Sequence, residues 1–220
     1  MFAYEATLHV HNPLSYRTNE YGNIVKTGIT LHNWALRFAL NGIRGNPEKN
    51  HMENLKGQPI YATPAVPVDV EFEFQTFHPF PEAPQLLKDP GKHPPATRKS
   101  YQSKNIILQF KEAIRVGSTF RFAVVSTREL SHEIIVTYGG KQTLQQITLE
   151  PADEVTVVPN FTGEVSHPIN PLDYAGNVKM KNTFLYNIPP SPLFEGNVIE
   201  PFPAILIKKG QNRYLVPSTW

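Results

Sequence analysis

The chain has 220 residues, with 21 Lys and Arg against 19 Asp and Glu, a formal net charge of +2 and no cysteine. The missing cysteines exclude disulfides, Cys-ligated zinc, iron–sulfur clusters and cysteine nucleophiles, and the near-neutral average says little about partners. No run approaches the ~18 apolar residues that span a bilayer, and MFAYEATLHV has neither a basic n-region nor a small-residue cleavage site. A cytoplasmic, soluble chain forming a single domain over 1–220, with no membrane partner, is therefore expected.

The first predicted element is a strand over Phe2 to His11. Phe2, Tyr4, Ala6, Leu8 and Val10 point one way, while Glu5, Thr7, His9 and His11 point the other. A helix is expected over 28–42, where Leu31, Trp34, Ala35, Phe38 and Ala39 recur at helical spacing. Thr30 is placed to cap its start and Gly42 to end it. Val68, Val70, Phe72 and Phe74 then alternate with Asp69, Glu71, Glu73 and Gln75, which reads as a half-buried strand with an acidic outer face.

Further strands are expected over 105–110, 118–126, 132–138, 142–149, 178–188 and 204–207, with Gly139 and Gly140 supplying a tight hairpin turn. Proline, 21 residues and about twice the usual ~5%, clusters at 59–67, 79–95 and 189–203. These stretches read as extended connectors, because proline lacks an amide donor and is unsuited to helix interiors and central strands. About eight strands and one helix make an α+β, β-dominated fold. A β-sandwich and a ferredoxin-like core elaborated by long hairpins both fit, and the early helix favours the second.

Charge is uneven along the chain. Lys88, Lys92, Arg98, Lys99, Lys104, Lys111, Arg115 and Arg121 face only Asp89 and Glu112 in one stretch, a local excess of +6 that can hold several phosphates. The segment Arg98 to Lys104 interleaves cations with Tyr101, Gln102 and two serines, which suits single-stranded RNA: cations track phosphates and a tyrosine ring stacks a base. Gly139, Gly140 and Lys141 resemble a phosphate-cradling turn, although a plain hairpin tip explains the paired glycines as well.

His9 and His11 share a strand face, but two imidazoles without a paired carboxylate motif make a poor metal site, so no metal and no cofactor is expected. His9, Tyr16, Arg17 and Lys26 can be assembled into a metal-free ribonuclease roster, yet nothing in their spacing demands it. GxxxxGK[ST], GxGxxG, GxSxG and HExxH strings do not occur, so nucleotide hydrolysis, dinucleotide binding, hydrolase elbows and zincins have no motif support.

Three strings carry a family resemblance. YEATLHVHNPLSYRTNEYGNIVKTGITLHNWALRFALNG (Tyr4 to Gly42), GEVSHPINPLDYAGN (Gly163 to Asn177) and NIPPSPL (Asn187 to Leu193), in that order, resemble the Cas-five-like (Csc-one) subunits of type I-D CRISPR interference (Cascade) complexes over roughly a third of the chain. The resemblance implies an RNA-recognition-motif-like (ferredoxin-like) core with an inserted thumb-like arm, here the Pro-rich basic segment 77–104. It also implies a non-catalytic subunit of an RNA-guided surveillance complex in antiviral defence. Such a subunit caps the 5′ handle of the guide RNA, meets the Cas-seven-like backbone subunit, and helps hold the large subunit near the protospacer-adjacent motif of the target DNA.

Candidates for the RNA contacts are Tyr16, Arg17, Arg98, Lys99, Tyr101, Lys104, Arg115, Arg121 and Lys141. Two other readings are a metal-independent repeat-RNA endonuclease of the same general fold and a β-sandwich binding module for protein or carbohydrate.

Overall fold

In the computed structural model of the chain, the described residues are 1–16, 19–21, 24–46, 48–77, 109–138, 143–174 and 178–220. Strand β1 (Phe2–His9) is followed by short strands β2 (Asn19–Tyr21) and β3 (Ile24–Lys26), helix α1 (Asn33–Asn41) and the short helix α2 (His51–Leu55). Next come β4 (Ile60–Ala62), β5 (Val66–Asp69) and β6 (Phe72–Phe77). After residues 78–108 follow β7 (Gln109–Ile114), β8 (Thr119–Ser126), β9 (Glu133–Tyr138), β10 (Thr143–Pro151) and β11 (Glu154–Ile169). A 3-10 turn at Pro171–Tyr174 leads to β12 (Met180–Tyr186), β13 (Leu193–Lys209) and β14 (Asn212–Pro217).

The strands form three sheets. The first, antiparallel throughout, has the order β4-β8-β1-β10-β9, with β5 also on β8. The second has the order β11-β13-β12, with β14 on β13, and the third β2-β3-β7-β6, in which β3 and β7 run parallel. Among the described residues no helix is long and apolar enough to cross a membrane.

The alternation of β1 explains the main core. Tyr4, Ala6, Leu8 and Val10 are buried beside Phe120, Phe122 and Val124 of β8, Ile147 and Leu149 of β10, Val136 and Tyr138 of β9, and Leu36 and Leu40 of α1. Burying each large apolar side chain contributes about 1.5–3 kcal/mol, so this layer holds most of the apolar stabilisation. Strand β8 is apolar on both faces because it lies between two cores. Its Ala123 and Val125 meet Tyr61, Ile205, Ile207, Tyr214 and Val216 on the other side, where the second sheet packs.

Three sequence-based expectations need correction, and a fourth is not confirmed. Helix α1 starts at Asn33, with His32 as its N-cap: the His32 backbone is extended and its Nδ1 accepts from the Trp34 amide at 3.1 Å. Leu31 instead bridges to Ala65, whereas Gly42 does end the helix in the left-handed conformation, at φ 61°. The buried stripe is Asn33, Trp34, Leu36, Arg37 and Leu40, while Ala35 is exposed and Phe38 and Ala39 are half-buried. An apolar-only periodicity discards Asn33 and Arg37, and with them the true orientation of the helix.

The alternating run at 68–75 is broken between β5 and β6, which belong to different sheets. Phe72 and Phe74 are 38% and 67% exposed, so on the side expected to be half-buried these two rings face outward, while Val70 packs on the main core.

Proline also appears where it was excluded, since Pro201 and Pro203 lie inside β13, the central strand of the second sheet. The β11–β13 register slips between Val158 and Phe161 and again between Phe161 and Gly163, next to these prolines. Such irregularities accommodate residues that cannot donate to the ladder.

The ferredoxin-like core is the fourth point. Two crossover helices would be needed, and among the described residues only α1 and the five-residue α2 are α-helical. The β-dominated, antiparallel character is borne out, while an RNA-recognition-motif-like core is not confirmed. The arm at 77–104 lies outside the described residues from 78 onward, as do 105–108 of the strand expected at 105–110. Gly139 and Gly140 are also outside, although β9 and β10 on either side pair antiparallel from Tyr138 and Thr143.

Candidate nucleic-acid interface

The three resemblance-bearing strings meet in one buried polar joint. Asp173, in the 3-10 turn, accepts at Oδ1 from the Trp34 indole at 2.7 Å and at Oδ2 from the Tyr61 hydroxyl at 2.9 Å and the Asn33 amide at 2.5 Å. The Arg37 guanidinium lies 3.7 Å from Oδ1, with both side chains almost fully buried. Arg37 also donates to the Leu55 carbonyl and stands over the Tyr61 ring. Burial raises the Asp173 pKa, opposed by these donors and by the Arg37 charge.

A second chain of bonds runs alongside. His32 Nε2 lies 3.0 Å from Ser191 Oγ and 3.1 Å from the Ser191 carbonyl, and Asn170 bonds both Ser191 and Asn33. His167 Nε2 donates to the Pro64 carbonyl at 2.7 Å, with Thr63 Oγ1 at 3.1 Å. Burial lowers the pKa of His32 and of His167 to about 4, so both are neutral imidazoles at ordinary pH. The side chains of the joint are engaged with one another, and among the described residues Arg37 Nε and Thr30 Oγ1 are the buried side-chain polar atoms left without a partner. The joint ties α1, β4, the 3-10 turn and the loop before β13 together, and its side chains are spent on one another.

Three of the expected RNA contacts, Tyr16, Arg115 and Arg121, fall among the described residues. The Tyr16 hydroxyl bonds the carbonyls of Gly28 and Thr30 at 2.5 and 3.0 Å, its ring packs against the main core, and burial raises its pKa well above the usual phenol range. Arg115 is exposed just after β7 and pairs with Glu71 at 2.7 Å. Arg121 sits half-buried on the face of the first sheet that meets the second, donating to Asn212 of β14 at 3.3 Å. Asn212 in turn donates to Glu5, which also accepts from the Tyr214 hydroxyl. Arg17, Arg98, Lys99, Tyr101, Lys104 and Lys141 lie outside the described residues.

Among the described residues, two exposed sheet surfaces combine rings with polar side chains. On the outer face of the first sheet His9 bonds Thr148 at 3.2 Å and His11 bonds Gln146 at 2.7 Å, beside exposed Ile135 and Leu144. The two imidazoles turn to separate partners and do not converge on a common point. The other surface is β12, where Phe184 and Leu185 are exposed and the Phe184 ring stands edge-on to Tyr186 at 4.8 Å. The residue pattern predicts a strand here but no site. The available signal is the string KMKNTFLYN, in which cations, amides and aromatics interleave much as they do in Arg98 to Lys104.

No curated protein matches the chain. Among solved structures, its fold is similar to a chain in the cryo-EM structure of the Type III-B Cmr-beta bound to cognate target RNA and AMPPnP, at 12% identity and TM-score 0.41, covering 89% of this chain and 84% of that one. A chain in the Cmr-beta structure bound to cognate target RNA is similar at 11% identity and TM-score 0.42, covering 90% and 86%. The family model described as type I-D CRISPR-associated protein Cas5/Csc1 matches residues 1–219. The chain therefore belongs to the type I-D CRISPR-associated Cas5/Csc1 family and is a subunit of a CRISPR ribonucleoprotein complex.

Proposed function

We propose that this subunit is non-catalytic and caps the 5′ handle of the guide RNA. In this reading it contacts the Cas-seven-like backbone subunit and the large subunit near the protospacer-adjacent motif of target DNA, and it works in the cytoplasm. The observation that carries the reading is the family match over residues 1–219. In such complexes base pairing reads the target while the proteins hold the backbone, so positioning and charge matter more than a reactive side chain.

The buried joint supports the non-catalytic part. The two histidines of the family-like strings, His32 and His167, are buried and bonded inside the protein, and the Asp173 carboxylate is occupied by Trp34, Tyr61 and Asn33. The phosphate contacts fall to Arg17, Arg98, Lys99, Lys104, Arg115, Arg121 and Lys141, and Tyr101 supplies a stacking ring. Arg115 is well placed to exchange partners, because an exposed ion pair such as its bond to Glu71 contributes only about 0–1 kcal/mol. Tyr16 has its hydroxyl engaged by the Gly28 and Thr30 carbonyls and its ring packed on the main core, which leaves the arginines and lysines to carry the contact.

Incubating purified protein with end-labelled repeat RNA in EDTA tests the reading. Retention of full-length RNA is expected. Shortening of the RNA would establish the metal-independent endonuclease instead.

A further inference from the structure

Strand β12 is the edge of the second sheet, and its pairing with β13 contains a bulge. Lys181 is opposite Asn197 and Phe184 is opposite Glu195, so β12 spends one more residue than its partner. Asn182, inside the bulge, is the one non-glycine residue at positive φ among the described residues, at 53°. Across from it Gly196 has φ 145°, and a Cβ there would lie 3.0 Å from the carbonyl oxygens of both Lys181 and Asn182. The bulge thus rests on bare backbone and needs a glycine beneath it.

The geometric consequence is specific. In a regular strand, residues three apart point to opposite faces. Because Asn197 and Glu195 are two apart on β13, the bulge brings Lys181 and Phe184 to the same face, and Tyr186 follows on that face two residues later. The Tyr186 hydroxyl donates to Glu195 at 2.8 Å, which fixes its ring as a buttress for Phe184 at 4.8 Å. Phe184 is 62% exposed, and among the described residues no acid pairs with exposed Lys181. A left-handed asparagine and an obligatory glycine therefore set a cation beside an ordered, solvent-facing aromatic pair.

We propose that this face of β12 binds single-stranded nucleic acid, with a base stacked on Phe184 and a neighbouring phosphate on Lys181. The inference rests on the reading of this chain as a guide-RNA subunit and adds a contact separate from the basic arm. Nearby carboxylates limit the electrostatic share. Glu195 is held by Tyr186, Glu200 is paired with Lys179 at 2.6 Å, and exposed Glu164 lies beside Asn197 on β11. One phosphate at Lys181 is accommodated while others are repelled, so stacking dominates. Cation and ring together fit a nucleotide better than the apolar strand of a protein partner, which has no use for the cation.

The test is fluorescence anisotropy on the full chain with labelled 12-nucleotide uridine RNA and the matching thymidine DNA at several salt concentrations. Phe184→Ala should weaken binding by about 10- to 100-fold without changing the salt slope, and Phe184→Trp should restore it. Lys181→Ala should flatten the slope by about 0.7, the value for one phosphate on a single strand. Melting temperatures should stay at the wild-type value, because both side chains are exposed. Weakening with RNA alone identifies the guide as the source of the strand, and equal weakening with DNA admits a displaced target strand as well. If Phe184→Ala and Lys181→Ala bind like wild type while the Arg98, Lys99 and Lys104 triple alanine variant loses RNA, the β12 contact is overturned and the guide-RNA reading stands. Unchanged binding of both oligomers together with failed assembly onto partner subunits reassigns the face to a protein contact. If the wild-type chain retains neither oligomer, the guide-RNA reading falls and the β12 contact with it.

Discussion

The indole N–H of Trp34 donates to Oδ1 of Asp173 at 2.7 Å, joining residues 139 apart in the chain. Trp34 comes from the LHNWAL string and Asp173 from HPINPLD, so two of the segments that mark the family touch each other through a buried hydrogen bond. Asn33, Tyr61 and Arg37 complete the surroundings of the same carboxylate. These strings act as a packing joint between layers, which explains why residues of such different chemistry belong together.

Trp34→Ala removes a buried ring and one of the donors to Asp173, and should cost about 3–5 kcal/mol of stability. Trp34→Phe keeps most of the apolar volume and loses only the N–H, with an expected cost of about 1–3 kcal/mol. Thermal melting of both, beside a guide-RNA binding assay, checks this. A fully stable alanine variant that no longer binds RNA would make Trp34 a stacking residue.

Acid should loosen the fold through His32 and His167. Burial holds both near pKa 4 against an ordinary value of 6.5. Their contribution is complete above pH 6.5 and is lost as pH falls toward 4, because the unfolded chain binds protons that the folded chain refuses. The loss approaches roughly 3 kcal/mol for each imidazole. Asp173 acts in the opposite sense, since its raised pKa means that protonation on acidification relieves a buried charge. Two imidazoles outweigh one carboxyl that Arg37 and three hydrogen-bond donors already stabilise. Melting temperatures measured from about pH 7 to about pH 4 should fall, and a flat profile would contradict the assignment.

Gly196→Ala should destabilise the protein by about 1–3 kcal/mol, since its Cβ meets two backbone carbonyls at 3.0 Å and its φ of 145° is strained for any side chain. Gly42→Ala, at φ 61° with nothing within 4 Å, carries only the left-handed penalty of about 1–2 kcal/mol. Chemical denaturation of both variants gives the comparison. Equal small effects would mean that the bulge moves aside easily.

Replacing Arg98, Lys99 and Lys104 together with alanine should flatten the salt dependence of RNA binding by about 0.7 for each phosphate that the arm no longer holds. Tyr101→Ala should weaken binding by about 1–3 kcal/mol with little change in slope, because a stacked ring releases no counterions. Titration of labelled 5′-handle RNA at several salt concentrations measures both. A triple variant identical to wild type would leave the arm a solvated surface.

Much of the main sheet was legible from the sequence. β1 alternates cleanly because one of its faces meets a continuous core and the other does not, so a single polarity pattern describes it. Gly42 announced the end of α1 because a left-handed C-cap favours glycine. The start of the helix was not legible. His32 is a cap only because Ser191 and the Trp34 amide hold its ring, and Ser191 is 159 residues away. Likewise β11 runs from exposed residues to buried ones along its 16 residues, so no one period describes it.

The sequence by itself determined a β-rich chain without cysteine chemistry, the first strand, the helix that follows, a concentration of cations between Lys88 and Arg121, and the strings that mark the family. Only the tertiary structure decided which face of α1 is buried, that Asn33, Trp34, Arg37 and Asp173 belong to one interior joint, and that a bulge turns Lys181 and Phe184 to the same side. The reason is physical. Apolar periodicity records the environment of one segment against an average neighbour, whereas a buried polar group is tolerable only if a particular partner arrives from elsewhere in the chain, and no local window contains that partner.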